Sequence, residues 1–337
     1  MNNISSFVAP LNDLAVIEIT GQDAASFLHG QLTHDIAGLM SAHARYAGYC
    51  TAKGRLLGNM VMWQSQQGET PNLHAIVKAD IAPALIKRLS MFVLRAKAKL
   101  QLTPLKVLGI TVHASSNYKE EVSAQTPGYS LLQEAAILSA QPPVWSVART
   151  DAGSWIAAPS ADNSMTRWWF VAELHDNAAV EAVIASPDAA QAGERWRSAD
   201  IAAGLPWVEA ATQDVFIPQT LNLDLIDGVS FTKGCYPGQE VVARSHYRGT
   251  VKRRMAYGVV NQPEGMEAGT LAGIDTYDAH NPGNPCGRII NAAQADGLHV
   301  LMEVQLADLD SADFRLGKAD GPAIQVMPLP YHITSKE

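Results

Sequence analysis

The sequence predicts an α+β protein that ends in a β-rich region. Three features carry this. Apolar residues make up 47% and charged residues 17%, a globular composition rather than a disordered one. A short strand followed by an amphipathic helix recurs in both halves of the first two hundred residues. After about residue 250 the pattern changes to short strands separated by Gly/Pro turns, as in a small β-barrel or sandwich. At 337 residues, and roughly 100–200 residues per domain, two or three domains are expected, large enough to do without disulfide staples.

Each element follows from its residues. Leu14–Thr20 is β-rich and closed by Gly21. Asp23–Leu32 places Ala24, Phe27, Leu28 and Leu32 near one helical face. His74–Val77 reads as a strand. Asp80–Phe92 reads as a helix, with Ile81, Leu85, Leu89 and Phe92 spaced by three and four. Val107–Val112 opens a second unit that holds a strand at Trp168–Ala172 and a helix at Asn177–Ala185. Ser186–Gly193 is expected to be a connector, and Glu194–Ala203 a helix ending at Gly204 with Trp196 in its first turn. Met255–Val260, Gly287–Asn291, His299–Leu306 and Ala323–Met327 are the late strands, and Pro328–Tyr331 ends the last.

The net charge of −8 excludes a general nucleic-acid coat, so anion binding has to come from a local patch. Cys50, Cys235 and Cys286 form no CxxC pair, which argues against a disulfide framework and a structural zinc site; no metal centre is expected. No signal peptide and no membrane span are expected, so a cytoplasmic protein is the default. Nucleotide-binding glycine loops, HExxH and GxSxG are all missing from the sequence.

The most unusual stretch is Phe231–Glu240, FTKGCYPGQE. Gly234 is free to take φ > 0, and Pro237-Gly238 is a type II turn signature, so a tight loop should present Cys235. Lys233 stands two residues away, and Arg244, His246 and Arg248 follow. Nearby cations favour thiolate, the form that acts as nucleophile or soft metal ligand. The plain alternative is a small buried cysteine in a loop. From Val241 to Pro263 there is no carboxylate, yet Arg244, Arg248, Lys252, Arg253 and Arg254 fall inside. That is a field suited to phosphate or a polycarboxylate, or else a solvated face. Glu240 and Arg244 are placed to pair if the segment is helical. Trp196 is either core or a platform for a flat heterocycle.

Lys233–Glu240 (KGCYPGQE) resembles the K-G-C-[FY]-x-G-Q-E signature of the YgfZ family of folate-binding proteins. The similarity continues through Phe216–Gln219, Asn222-Leu223, Gly228–Phe231, Val242–Arg244 and Arg248-Gly249. Weaker matches lie at Gly30–Thr33 with Asp35, Cys50 with Ala52–Gly54, Trp196 with Ala203–Pro206, and Pro328–Tyr331. The resemblance implies the aminomethyltransferase-like folate-binding fold: two ferredoxin-like α+β units plus a C-terminal β-barrel. On that plan residues 1–105 form the first unit, completed by parts of 196–245, residues 106–195 the second, and 246–337 the barrel.

It further implies a tetrahydrofolate-binding accessory protein that supports iron–sulfur cluster assembly or repair. The implied partners are folate and iron–sulfur enzymes such as radical tRNA methylthiotransferases, with a link to control of replication initiation. No membrane partner and no strong direct nucleic-acid binding are implied. Cys235, with Lys233, becomes the reactive pair. Gly234, Tyr236, Gly238, Gln239, Glu240 and Arg244 form its loop, and Trp196, Leu14 and Arg248 are the folate-side candidates. Leu14 stands where family members carry a second tryptophan, which removes a stacking contribution of about 1 kcal/mol. No segment corresponds to the catalytic-aspartate segment of aminomethyltransferases, so a folate-dependent one-carbon transferase or demethylase is the alternative reading.

Overall fold

A computed structural model describes residues 6–65, 72–113, 123–138, 142–174, 177–247, 251–260 and 265–333. Its strands are β1 (Phe7–Pro10), β2 (Leu14–Thr20), β3 (Arg45–Cys50), β4 (Leu56–Gln64), β5 (Leu73–Lys78), β6 (Lys99–Leu102), β7 (Lys106–His113), β8 (Val147–Thr150), β9 (Gly153–Ala158), β10 (Met165–Ala172), β11 (Arg253–Val260), β12 (Asp275–Asp278), β13 (Asn281–Gln294), β14 (Leu298–Gln305), β15 (Phe314–Leu316) and β16 (Ile324–Met327). Its helices are α1 (Ala24–His29), α2 (Ala82–Ser90), α3 (Tyr129–Leu138), α4 (Ala178–Ile184), α5 (Ala189–Ala202) and α6 (Gln239–Tyr247). The chain divides into two compact units. One comprises Met1–Ala24, Gly38–Arg45 and Val61–Trp196; the other comprises Ala25–Ala37, Tyr46–Met60 and Arg197–Glu337.

In the first unit, one sheet runs β1-β7-β10-β9-β8 with antiparallel neighbours, so the first strand of the chain joins a sheet otherwise built from residues 106–172. Alternation along β7 and β10 sends Leu108, Ile110, Val112, Trp168 and Phe170 to one face. There they pack on Leu131, Leu132 and Ala135 of α3 and Val180 and Val183 of α4. Asn177 caps α4 by accepting from the Val180 N–H at 3.2 Å, which fixes the helix start its sequence predicts. The second sheet has the order β3-β4-β5-β2-β6. Its β2 pairs antiparallel with β5 and β6, and α2 buries Leu85 and Leu89 as their spacing predicts. Phe92 falls beyond the helix and is exposed.

α5 begins at Ala189, inside the segment expected to be a connector. Ala189, Ala190, Gln191 and Ala192 are strong helix formers, and they outweigh Pro187 and Gly193 as breakers. Trp196 is therefore mid-helix rather than in the first turn. It lies against β7 at Gly109, where a Cβ would stand 2.3 Å from indole Cδ2 and Cε3. Gly109 is paired across the ladder with Trp169, which meets Trp196 edge-on at 6.2 Å. The glycine is the space that the indole fills.

In the second unit, β15-β12-β13-β14-β11-β16 form a six-stranded sheet. It curls as a half-barrel, and a bridge between Arg315 and Ala323 links its two edges. β13 is longer than its sequence predicts, because register shifts against β12 at Thr276–Asp278 let the Pro- and Gly-bearing stretch remain in the strand. Its core holds Ile289, Leu298, Val300, Met302, Val304 and Phe314. Two buried asparagines tie the chain beyond α5 to the sheets. Asn59 donates to the Pro206 carbonyl at 2.7 Å and accepts from Val208 N–H at 2.8 Å. Asn291 exchanges two 2.8 Å bonds with the Trp207 backbone. Among the described residues, no helix is long and apolar enough to cross a membrane.

Gly109→Ala should lower unfolding free energy by about 1–3 kcal/mol through overpacking against Trp196. Urea denaturation checks this, and an unchanged midpoint would show that the indole has room to move.

Candidate functional site

The segment that precedes the signature loop is fastened through Thr33. Thr33 Oγ1 donates to the Gly228 carbonyl at 2.6 Å and accepts from Gly48 N–H at 2.7 Å. Its backbone N–H donates to the Gly48 carbonyl, and its carbonyl accepts from Ser230 N–H, each at 2.9 Å. One buried threonine thus joins β3, the turn after α1 and the Gly228–Ser230 strand-like segment. Gln219, also buried, donates to the Val242 carbonyl in α6 at 2.7 Å. The upstream motif residues hold the loop in place.

Lys233 closes the loop onto α1. Its Nζ donates to the carbonyls of His29, at the end of α1, and Leu32, the latter at 2.9 Å. The His29 carbonyl is one left over at the end of α1, where a cation is favoured by partner and by dipole, while Leu32 lies three residues further on in an isolated bridge to Tyr49. The same Nζ sits 4.7 Å from the centre of the Tyr236 ring. Burial pulls the Lys233 ammonium down to about 8, against an opposing pull from the charges of Asp35 and Cys235. Lys233 and Cys235 therefore interact electrostatically.

The turn that Pro237-Gly238 predicts is present. The Tyr236 carbonyl accepts from Gln239 N–H at 3.2 Å, Gly238 has φ +80°, and α6 starts at the next residue. Gly238 is also pressed against the turn after Cys50: an added Cβ would lie 2.4 Å from the Thr51 carbonyl and 2.6 Å from Gly54 N and Cα. Gly54, at φ +74°, likewise has Val241 at 2.9 Å from its own would-be Cβ. Gly234 is not among the positive-φ residues, so its expected left-handed conformation does not occur. An added Cβ there would lie 3.6 Å from His29 Nε2, an ordinary contact, so the surroundings of Gly234 leave room for a side chain. His29 Nδ1 meets Asp35 Oδ1 at 2.9 Å. His29 carries no sequence signal, since a single histidine at a helix end fits no motif.

The three cysteines differ sharply. Cys235 is exposed, Cys286 is partly buried, and Cys50 is buried. Burial pushes the Cys50 thiol up to about 12, and its charge is one of the influences that raise Tyr236. Cys50 thus lies beneath the loop as an apolar group beside Tyr236. No group of three His, Cys, Asp or Glu side chains that could hold a metal occurs among the described residues.

The basic run does not act as one surface. Arg254 is buried and holds Asp224 through both nitrogens, at 2.6 and 3.1 Å, and Arg253 meets Glu303 at 3.0 Å. Arg244 is exposed on α6, and no ion pair joins it to Glu240. An open concavity of about 400 Å³ follows α6, lined by Glu240, Val241, Ala243, Arg244 and Tyr247. Arg248 lies outside the described residues. Leu14 is buried as the first residue of β2. Trp196 is 1% exposed, with the Arg167 guanidinium 4.0 Å over its ring. The ring offers no free face for stacking, although its Nε1–H has no hydrogen-bond partner. Fit to a folate is therefore partial: an unmatched donor is present and a stacking surface is not.

Comparisons with known proteins agree with the signature. The tRNA-modifying protein YgfZ of Serratia proteamaculans is 29% identical over 345 residues, covering 97% of this chain and 93% of its own. The tRNA-modifying protein YgfZ of Klebsiella pneumoniae is 27% identical over 96% of this chain and 92% of its own. Over nearly its whole length this chain is similar to the YgfZ proteins. An uncharacterized Haemophilus influenzae protein, 29% identical, matches 98% of it. The solved aminomethyltransferase T of the glycine cleavage system from Bartonella henselae superposes with a TM-score of 0.66 over 97% of this chain and 86% of its own, at 14% identity. The chain therefore has the aminomethyltransferase-like fold that the YgfZ resemblance implies. No family model matches.

Lys233→Met should lower the unfolding free energy by about 1.5–3 kcal/mol, because the carbonyls of His29 and Leu32 lose their charged donor. An unchanged urea midpoint would contradict the clamp.

Proposed function

We propose that this protein is a tetrahydrofolate-binding accessory factor that supports iron–sulfur cluster assembly or repair, and through it tRNA modification. Cys235 is its working group. The observation that carries the reading is an exposed thiol close in the chain to a lysine clamped on the carbonyls of His29 and Leu32, in a chain that aligns over nearly its full length with proteins named tRNA-modifying.

The chemistry follows from what the loop offers. Lys233 holds the start of the loop on the carbonyls of His29 and Leu32 and places positive charge near Cys235. A single sulfur would provide one bond to a cluster iron, with further ligands supplied by the client enzyme. The clients are iron–sulfur enzymes such as radical tRNA methylthiotransferases. Folate, when bound, supplies one-carbon chemistry or a redox-active pterin ring. From this chain, the exposed Arg244 offers a cation for a glutamate tail.

Two measurements test the parts separately. Cells that carry Cys235→Ser in place of the native chain should lose most methylthiolated tRNA nucleoside, with the variant's Tm within about 2 °C of the parent, as expected for an exposed site. Full retention of the modification would remove Cys235 from the function. Tetrahydrofolate at about one hundred times its Kd should stabilise the protein by about 2.7 kcal/mol. No shift at millimolar folate would remove the folate part and leave the cysteine part standing.

A further inference from the structure

From Ile81 to His113 the sequence contains no aspartate or glutamate, in a chain of net charge −8. Lys87, Arg88, Arg95, Lys97 and Lys99 all lie in this stretch, and all five are exposed. None of them is in an ion pair among the described residues. Two carboxylates touch the stretch, both on uncharged donors: Asp23 Oδ2 accepts from Lys97 N–H and Glu18 Oε2 from Gln101 Nε2, each at 2.7 Å.

Among these cations stand large apolar side chains that the fold leaves in water. Leu94 is 87% exposed, Met91 67%, Leu102 53% and Phe92 47%. Met91, Phe92 and Leu94 come from the close succession of turns between α2 and β6, where Phe92 N–H donates to the Leu89 carbonyl and Ala96 N–H to the Val93 carbonyl. Leu94 has φ +46°, a left-handed conformation that costs a leucine about 1–2 kcal/mol. Strain in an exposed leucine does nothing for the core. β6 ends its sheet, so the patch finishes on a strand edge with Gln101 and Leu102 exposed. Lysines guard such edges against aggregation, which accounts for Lys97 and Lys99. It does not account for the four apolar groups.

We propose that residues 87–102 form a docking face for a protein partner whose surface is acidic around an apolar centre. Positive charge selects an acidic partner and steers its approach. Exposed Met, Phe and Leu flanked by Arg match the make-up of protein interfaces, where apolar anchors are ringed by polar groups. Aliphatic anchors gain little from a phosphate backbone, which disfavours RNA as the occupant. The strand edge offers backbone donors and acceptors that a polypeptide can pair with and a lipid headgroup cannot. The face rests on the proposed accessory function only in that such a factor must meet its clients.

The test places a photo-crosslinking phenylalanine analogue at position 94 or 102 of the full chain in cells, with position 137, also exposed, as the control. The expected result is a protein adduct at 94 and 102 and not at 137, with the crosslinked peptide identified by mass spectrometry as rich in Asp and Glu. That identified protein, purified, should bind the Arg95→Glu/Lys97→Glu variant at least fivefold more weakly than the parent. Adducts no stronger than at 137 overturn the proposal. So do adducts digested by ribonuclease, adducts to a second copy of this chain, or sedimentation with phosphatidylglycerol vesicles that the parent shows and the Arg95→Glu/Lys97→Glu variant loses. If Cys235→Ser abolishes tRNA methylthiolation and Leu94→Asp/Arg95→Glu leaves both it and partner binding intact, the docking face falls and the cysteine reading stands. If the adduct and its charge dependence are found but Cys235→Ser changes nothing, the docking face stands and the cysteine reading falls.

Discussion

The Lys233 ammonium on the carbonyls of His29 and Leu32 is the interaction on which the site depends. A short helix such as α1 leaves its last carbonyls without partners, here that of His29, and the chain that follows it leaves that of Leu32; a charged donor is the strongest group available to fill them, each such bond contributing about 1.5–3 kcal/mol net. The cost is that the cation is held partly out of water, which is why burial is the leading influence drawing it down to about 8. A lysine so placed is fixed, near neutrality it is still charged, and it is adjacent in the chain to the glycine that precedes Cys235. The loop is thereby anchored at one point and free to expose the sulfur at the next.

The other anchor is steric. Gly54 and Gly238, both at positive φ, approach so closely that neither would admit a methyl group without moving backbone. This contact joins the turn after Cys50 to the turn before α6, and it explains why the Ala52–Gly54 match travels with KGCYPGQE in one sequence. Thr33, Gln219, Asn222 and Arg254 do comparable work around it. Asn222, at φ +57°, donates to the Met255 carbonyl at 2.8 Å, and Arg254 donates to the Gln219 carbonyl at 2.9 Å. Residues that look like scattered motif fragments in sequence are the polar fastenings of a single loop.

Local pattern made much of this legible. Runs rich in β-branched and aromatic residues marked β2, β7 and β10, spacing of three and four marked α2, and Asn177 marked the start of α4. Pro237-Gly238 marked its own turn, because a proline-fixed φ followed by glycine leaves few alternatives. What the sequence hid was long-range. Helix propensity over Ala189–Ala192 was masked by Pro187 and Gly193. Arg254 read as part of a basic surface because its partner Asp224 lies outside the carboxylate-free window. Trp196 read as a possible stacking platform, and only the pairing of Gly109 opposite Trp169 explains why its ring is closed in the core. His29 became visible only once Asp35 and Gly234 were brought around it.

Competitive alkylation of the native protein tests the account most directly. Briefly treated with iodoacetamide at neutral pH and mapped by mass spectrometry, the chain should carry label on Cys235 first, on Cys286 more slowly, and on Cys50 only after unfolding in denaturant. Label appearing on Cys50 as fast as on Cys235 in the folded protein, or a Cys235 that resists until denaturation, would contradict a loop built to present one sulfur and hide the other.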